Sequence, residues 1–536
     1  MNKSALGEPA SAPSHNFVTL GDRGASLLRV VLLVVLSVAV IYYAVVSVHW
    51  VLACDSPIMH YVVFLMRHGF RPYVDISDNN MPGSYYTEAL AMRIFGAGDL
   101  GWRIYDFFLL AVMTAGLTVI AKPYHWIAGV FAGSLFIILH GAEGPSFAVE
   151  REEVLTVLLV MGYVAMFEAV RRRKPWLLLI LGLMCGLAAS IKPTFLPLPF
   201  ALMALMALVL RRRNIPALPY LGWALLGFAA VFALDIGYLL HYHVMKPFLF
   251  IVRTVSPTYV SLFRATPRQL AALIFPRNMR VFPVLVVATS LSMLGRHVRW
   301  TWEKWAVAMG AAFGLLSYFV QGKGFQPHRY TFLVLFFLLA GCELLDALRQ
   351  RGWPRALSAL AFGVLLVWNI PQDMRATPPR DWRPDPLDVT LQRLGGAETL
   401  QDKVQCFDMV FGCFGSLYHL GIVENTGFTG DLLFFTGRDT VASLYYKERF
   451  WRLAHADPAT VLVITNEWLG QDNSYDRLKT WPQFNAYLAQ NYTLVTEHEF
   501  TYIGPLQDNP NKFRIYIRNG TPLLAKAQKL AASGQL

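Results

Sequence analysis

Apolar runs long enough to cross a membrane alternate with short charged segments over the first two thirds of the chain. They lie at about 27–50, 104–121, 124–140, 153–170, 176–191, 194–210, 217–241, 281–295, 305–321, 330–348 and 355–371. About 20 consecutive apolar residues span the hydrocarbon core as a helix, so the pattern predicts about eleven transmembrane helices. Three longer stretches interrupt it. The first, 55–103, reads as an amphipathic helix over 56–68, a polar loop and a second helix over 85–95, with Trp102 and Tyr105 as interfacial anchors. The second, 242–280, is part apolar and rich in Arg. After Pro371 comes a Pro-rich linker and then the composition of a soluble domain. Short strands are predicted at 404–407, 461–465 and 513–517, and a helix at 481–490. The expected fold is a polytopic α-helical membrane protein with a C-terminal extracytoplasmic α/β domain. Its parts are an N-terminal tail 1–26, a membrane domain 27–371, a linker 372–390, an α/β domain 391–520 and a tail 521–536.

Composition agrees with this pattern. Of 536 residues 55% are hydrophobic and only 15% are charged, against about 25% charged in an average soluble chain. Mean hydropathy is +0.41. One or two soluble domains are excluded, and an aromatic share of 14% excludes disorder. The net charge of +12 does not point to nucleic acid, because the basic residues cluster in every second short loop. These are Lys122, Arg171 to Lys174, Arg211 to Arg213, the group Arg296, Arg299 and Lys304, and the group Arg349, Arg351 and Arg355. With the N-terminus cytoplasmic, that is the positive-inside pattern. An odd number of spans then puts the C-terminal domain outside, periplasmic or extracellular, with a bacterial inner (plasma) membrane as the expected location. The first apolar run is too long for a signal-peptide core. Cys54, Cys185 and Cys342 read as small hydrophobes, whereas Cys406 and Cys413 are placed to pair in an oxidising compartment.

No nucleotide loop, zinc motif or nucleophile elbow is present in the sequence. The chemistry-bearing residues lie on the outward side. Asp75 and Asp78 sit in a loop bounded by Pro72 and Pro82-Gly83, where a carboxylate serves as a general base, helps hold a divalent cation, or simply caps a turn. Glu150, Arg151, Glu152 and Glu153 open the fourth span, as helix-dipole caps or as the wall of a polar cavity. Lys192, Lys323, His328 and Arg329 fall on the same side and together suit a lipid phosphate; singly each reads as a headgroup anchor. Asp235, inside the seventh run, reads as a polar contact within the bundle.

This combination resembles the GT-C superfamily of membrane glycosyltransferases, which includes dolichyl-phosphate-mannose mannosyltransferases and bacterial aminoarabinose transferases. The matching pieces are Pro72-Tyr73-Val74-Asp75 with Asp78 and Pro82-Gly83-Ser84-Tyr85-Tyr86, then Glu150-Arg151-Glu152, Gly186 to Pro193, and Gln321 to His328, within residues 27–371. The resemblance implies transfer of a hexosyl or pentosyl group from a polyprenyl-phosphate donor, with inversion, to a hydroxyl on a cell-envelope glycan, lipid or protein. It implies Asp75 as first choice for the base and Asp78 as second. Glu150, Arg151, Glu152, Lys192, Lys323, His328 and Arg329 become donor-phosphate or substrate contacts. The resemblance fixes no cofactor, and a divalent cation (Mg or Mn) stays open. Related loops often carry a Lys shortly before the Pro that matches Pro82, whereas this chain has Asn80-Met81; the phosphate contact must then come from elsewhere, or the donor differs. Two other readings compete. A transporter or flippase would show paired halves with broken helices, which the sequence lacks. A non-catalytic assembly or receptor protein leaves the Asp loop and the cations unexplained.

Overall fold

In the computed structural model each of the eleven apolar runs lies on a helix. The structure describes residues 20–276, 278–294, 300–378, 385–409, 412–466, 474–500 and 511–536. Most of the N-terminal tail, Arg296 and Arg299 of one basic loop, and the middle of the linker lie outside the described residues. Eight helices are long and apolar enough to cross a membrane: Arg23–Ser47, Asp99–Ala121, Trp126–Glu143, Arg151–Arg172, Pro193–Arg212, Leu218–His241, Gln326–Ala347 and Trp353–Ala376. Pro175–Ile191 and Phe282–Met293 are apolar but shorter. Trp302–Gln321 has Glu303 and Lys304 in its first turn. The protein is an integral membrane protein.

Trp126–Glu143 and Gln326–Ala347 run through the middle of the bundle, most of their residues buried. Small residues set the closest helix contacts. A Cβ on Gly182 would stand 2.0 Å from the Ala224 carbonyl oxygen, so Pro175–Ile191 and Leu218–His241 touch backbone to backbone. A wholly buried polar group ties the first three spans together. Arg103 bonds Asp106, donates to the Tyr43 hydroxyl at 2.5 Å and to Ser47 Oγ at 2.7 Å, while His140 Nε2 lies 3.2 Å from Asp106. Buried charges in a membrane persist only when paired in this way.

The first outer segment folds as expected, into helices Asp55–Arg67 and Pro82–Phe95 joined by the polar loop. Pro82 sits in the first turn of the second helix, where its missing N–H costs nothing. Trp102 is no interfacial anchor: it is buried, and its indole N–H donates to Ser56 Oγ at 3.2 Å.

The outer domain is a four-stranded mixed sheet with helices packed on it. β1 (Val404–Phe407), β2 (Val461–Thr465), β3 (Tyr492–Glu499) and β4 (Lys512–Arg518) lie in the order β1-β2-β4-β3. β1 and β2 are parallel; β4 is antiparallel to both β2 and β3. The β1–β2 crossover carries helices Cys413–Leu420 and Val441–Ala456, as a parallel pair requires. A disulfide joins Cys406 to Cys413. The segment 521–536, expected as a tail, contains helix Pro522–Ala532, which docks on the domain through Leu523 and Ala527. The domain also starts earlier than expected, at helix Pro386–Leu394, with Leu387, Leu391 and Leu394 in its core.

Candidate functional site

A cavity of about 400 Å³ lies between the 55–103 segment, the ends of the membrane helices on that side and the C-terminal α/β domain. Asp55, Asp78, Asn80, Arg151, Lys192, Lys323 and His328 supply its polar wall. The outer domain supplies a largely apolar roof that includes Met409, Leu433, Phe434 and Tyr446. Opposite charges therefore converge from segments far apart in sequence.

Three carboxylates of the 55–103 segment, Asp55, Asp75 and Asp78, have different fates. Asp75 does not line the cavity. Its side chain folds back on its own turn, accepting from the Arg71 backbone N–H and from Arg71 Nε, each at 2.9 Å. Partial burial works against its charge, but the Arg71 bonds outweigh that and hold its carboxyl below the usual range. The turn-capping reading thus describes Asp75, and its expected place at the reaction centre is corrected. Asp78 does face the cavity, yet neutral donors surround it: Asn79 N–H at 2.7 Å, Asn80 Nδ2 at 2.8 Å and the Tyr85 hydroxyl at 3.1 Å. Asp55, the first residue of helix Asp55–Arg67, accepts from Arg151 Nη2 at 2.7 Å on one oxygen. Its other oxygen takes no hydrogen bond from the described residues.

Sequence reasoning gave Asp55 no role. It ends an apolar stretch and begins a helix, and an acid there reads as a dipole cap. The available signal was position, since Asp55 is the first carboxylate after the first span. Asn80, which accepts from Arg151 Nη1, and Tyr259 were likewise passed over.

Lys192 and His328 share one carboxylate. Lys192 Nζ donates to Glu152 Oε1, and His328 Nε2 lies 3.3 Å from the same oxygen. Glu152 is buried behind them. Lys323 Nζ sits 4.3 Å from the Tyr259 ring centre and 5.5 Å from that of Phe263. Burial, then the neighbouring Lys192 and Arg151, brings the Lys323 ammonium down to about 8. Burial also lowers Lys192, against the pull of Glu152. Arg329 is a correction: it turns away from the cavity, with Nη2 2.6 Å from Glu143 Oε1, an oxygen pair completed by the Tyr330 hydroxyl at 2.8 Å. Arg329 anchors the 321–328 segment and does not touch the site.

A second, small cavity of about 30 Å³ adjoins Asp55 and is lined by Ser84, Glu88, Glu150 and Arg151. Glu150 Oε1 and Ser84 Oγ are buried there without a protein partner, which suits one water or one small ion. Cys54, Asp55 and Glu150 bring ligand atoms within 4.8 Å of one another. The fit to a divalent cation is poor, because Arg151 already neutralises Asp55 from 2.7 Å and burial raises the Glu150 carboxyl toward its neutral form.

A third cavity, of about 630 Å³, shares Met81 and Pro193 with the first. Phe200, Phe228, Phe232, Leu239 and Phe248 give it an almost wholly apolar wall. Its one acid, Asp235, accepts from Ser190 Oγ at 2.5 Å and from the Tyr86 hydroxyl at 3.1 Å, the bundle contact expected of it.

Residues 79–234 match the family model described as dolichyl-phosphate-mannose-protein mannosyltransferase. No curated protein matches the chain in sequence. Among solved structures, ArnT from Cupriavidus metallidurans bound to undecaprenyl phosphate is similar at 13% identity and a TM-score of 0.53, over 92% of this chain and 98% of that one. The apo form of the same ArnT gives 12% identity and a TM-score of 0.50, over 94% and 99%. At such identity the likeness is one of fold, and it covers the membrane helices and the outer domain together. The resemblance to GT-C glycosyltransferases is met at that level: this chain has their architecture.

Proposed function

We propose that this GT-C-fold protein is a glycosyltransferase that moves a sugar from a polyprenyl phosphate to an acceptor hydroxyl at the outer face of the membrane. One observation carries the reading. Asp55 and Asp78 line the same cavity as Arg151, Lys192 and Lys323, and that cavity shares Met81 and Pro193 with a largely apolar one. The donor's isoprenoid chain lies along Phe200, Phe228, Phe232 and Phe248, and its phosphate reaches Lys192, Lys323 and His328. The acceptor enters under the outer-domain roof.

Asp55 is the base in this reading, because it alone of the three has a carboxylate oxygen without a protein donor in the cavity; Asp78 is the second choice. The acceptor oxygen attacks the anomeric carbon as Asp55 takes its proton, and the bond from that carbon to the phosphate oxygen breaks. The configuration inverts, and polyprenyl phosphate leaves with the electron pair, its charge stabilised by the cations. Arg151 holds Asp55 in place through its 2.7 Å hydrogen bond. The Cys406–Cys413 disulfide supports an oxidising compartment for the outer domain, and with it the N-in orientation read from the loops.

The test is a transfer assay. Purified protein in nanodiscs is offered a panel of undecaprenyl-phosphate and dolichyl-phosphate sugars with envelope glycan, lipid and hydroxyl-peptide acceptors. Release of polyprenyl phosphate with formation of an inverted glycoside is expected from one donor. Well-folded protein that transfers from none of them, yet moves a lipid-linked sugar across a vesicle bilayer, would establish the flippase alternative instead.

A further inference from the structure

One more concavity lies wholly within the outer domain, and it shares no lining residue with the cavities on the membrane side. It encloses about 500 Å³, a size that suits a small ligand. The antiparallel half of the sheet forms its floor. On β4, Phe513, Ile515 and Ile517 are fully buried in the core, so the alternating Lys512, Arg514 and Tyr516 face the other way. Glu497 stands beside Arg514 on β3. The turn Asp476–Thr480 and helix Pro482–Asn491 close the sides, with Tyr475, Tyr492 and Asn485 among the lining residues.

Two features go beyond what a solvated sheet face needs. Among the described residues the Tyr475 hydroxyl is buried without a hydrogen-bond partner, a condition folded domains rarely leave unexplained. The Arg514 guanidinium is held 3.8 Å from the Tyr475 ring centre while it bonds Glu497, which presents planar, immobilised polar groups beside aromatic faces. Charge then narrows the ligand. Arg514 is paired with Glu497, Lys479 lies 2.7 Å from Asp476, and Lys512 lies 3.6 Å from Glu499. An anionic ligand would find each of these cations already neutralised, and a purely apolar one would bury three ion pairs. A sugar ring suits both constraints. Its C–H face packs on tyrosine, and its hydroxyls bond carboxylate, guanidinium and amide groups at the rim.

We propose that this concavity binds a short saccharide, the acceptor-side glycan of the reaction above. The assignment rests on that reaction only for the source of the saccharide. Labelled full-length protein in nanodiscs is applied to an array of bacterial envelope oligosaccharides, and any oligosaccharide that binds is measured by calorimetry. Binding of at least one is expected, weakened about tenfold or more by Tyr516→Ala and by Glu497→Gln, with circular dichroism unchanged. Lys192→Met, in the membrane cavity, is expected to leave that binding intact. No binding on the array, or binding that survives both outer-domain substitutions, overturns the site. Transfer to a small soluble acceptor reports on the membrane cavity separately. If that transfer is absent while array binding depends on Tyr516 and Glu497, the saccharide site stands and the proposed reaction falls.

Discussion

Arg449, on the outer domain, donates a hydrogen bond of 2.5 Å to the backbone carbonyl of Asp75 in the first loop of the membrane domain. The same guanidinium reaches Ser77 Oγ at 2.7 Å and lies 4.7 Å from the Phe428 ring centre. Ser77 N–H in turn donates to the Gly427 carbonyl at 2.8 Å. The outer domain therefore holds the strand of loop from which Asp78 and Asn80 enter the cavity.

Removing that grip should misplace the loop without unfolding the protein. Hydrogen bonds from a charged group are worth about 1.5–3 kcal/mol, so Arg449→Ala is expected to lower kcat/KM for sugar transfer about 10- to 100-fold. The loss should fall mainly on kcat, with Tm lowered and the protein still folded. A fall in KM-dependent binding alone would count against a positioning role.

Gly427 is the backbone counterpart. It adopts a φ of +72°, and a Cβ there would stand 2.1 Å from the Asp75 carbonyl oxygen. Gly427→Ala should destabilise the contact between the domains by about 2 kcal/mol or more, seen as a lower Tm and as lost transfer. Gly222→Ala, whose Cβ would meet nothing within 4 Å, is the control expected to keep both.

The carboxylates separate in a direct comparison. Asp55→Asn should cost about 10²- to 10⁴-fold in kcat, the usual contribution of a general base. Asp75→Asn, which breaks an exposed pair with Arg71, should cost no more than about fivefold. The reverse order would restore Asp75 as the base.

The pH profile follows from Lys323. Its ammonium is lowered to about 8, so in the free enzyme it is charged below that pH and neutral above it. Phosphate binding needs the charge, and kcat/KM should therefore fall as pH rises through about 8. Bound phosphate favours the protonated form, so the corresponding limb in kcat should lie higher. Lys323→Arg should remove the fall, because guanidinium stays charged.

Chelation should have little effect. Arg151 already serves as counter-ion to Asp55, so transfer is expected to persist in EDTA. Activity that vanishes in EDTA and returns only with Mn or Mg would replace Arg151 in that role.

Much of the architecture was legible because membrane helices obey one dominant rule. Uninterrupted apolar length put each of the eleven runs on a helix, eight of them long and apolar enough to cross a membrane, and two core strands showed as short runs at Val404 and Val461. The missed strand, Tyr492–Glu499, has mixed polar positions and follows directly on helix Pro482–Asn491, so no turn signal marks it. The site was half legible. Lys192, Lys323 and His328 stood out as cations at helix ends, and Arg151 and Glu152 as a charged cluster opening a span. Choosing among carboxylates was not possible from spacing, because Asp75, Asp78 and Asp55 differ only in what faces them. Arg71 and Arg151 make that difference, one within the loop and one 96 residues from its partner.

Glu152 bears on turnover. It is the anion that Lys192 and His328 hold in the structure. On the proposed reaction, an arriving phosphate must draw these two groups off Glu152, and a spent carrier lipid departs as Glu152 takes them back. The cations are thus never left naked, and the exchange of one anion for another keeps the product from being retained as an inhibitor. Glu152→Gln should accordingly tighten the hold on undecaprenyl phosphate while slowing multiple rounds, a burst followed by a stall.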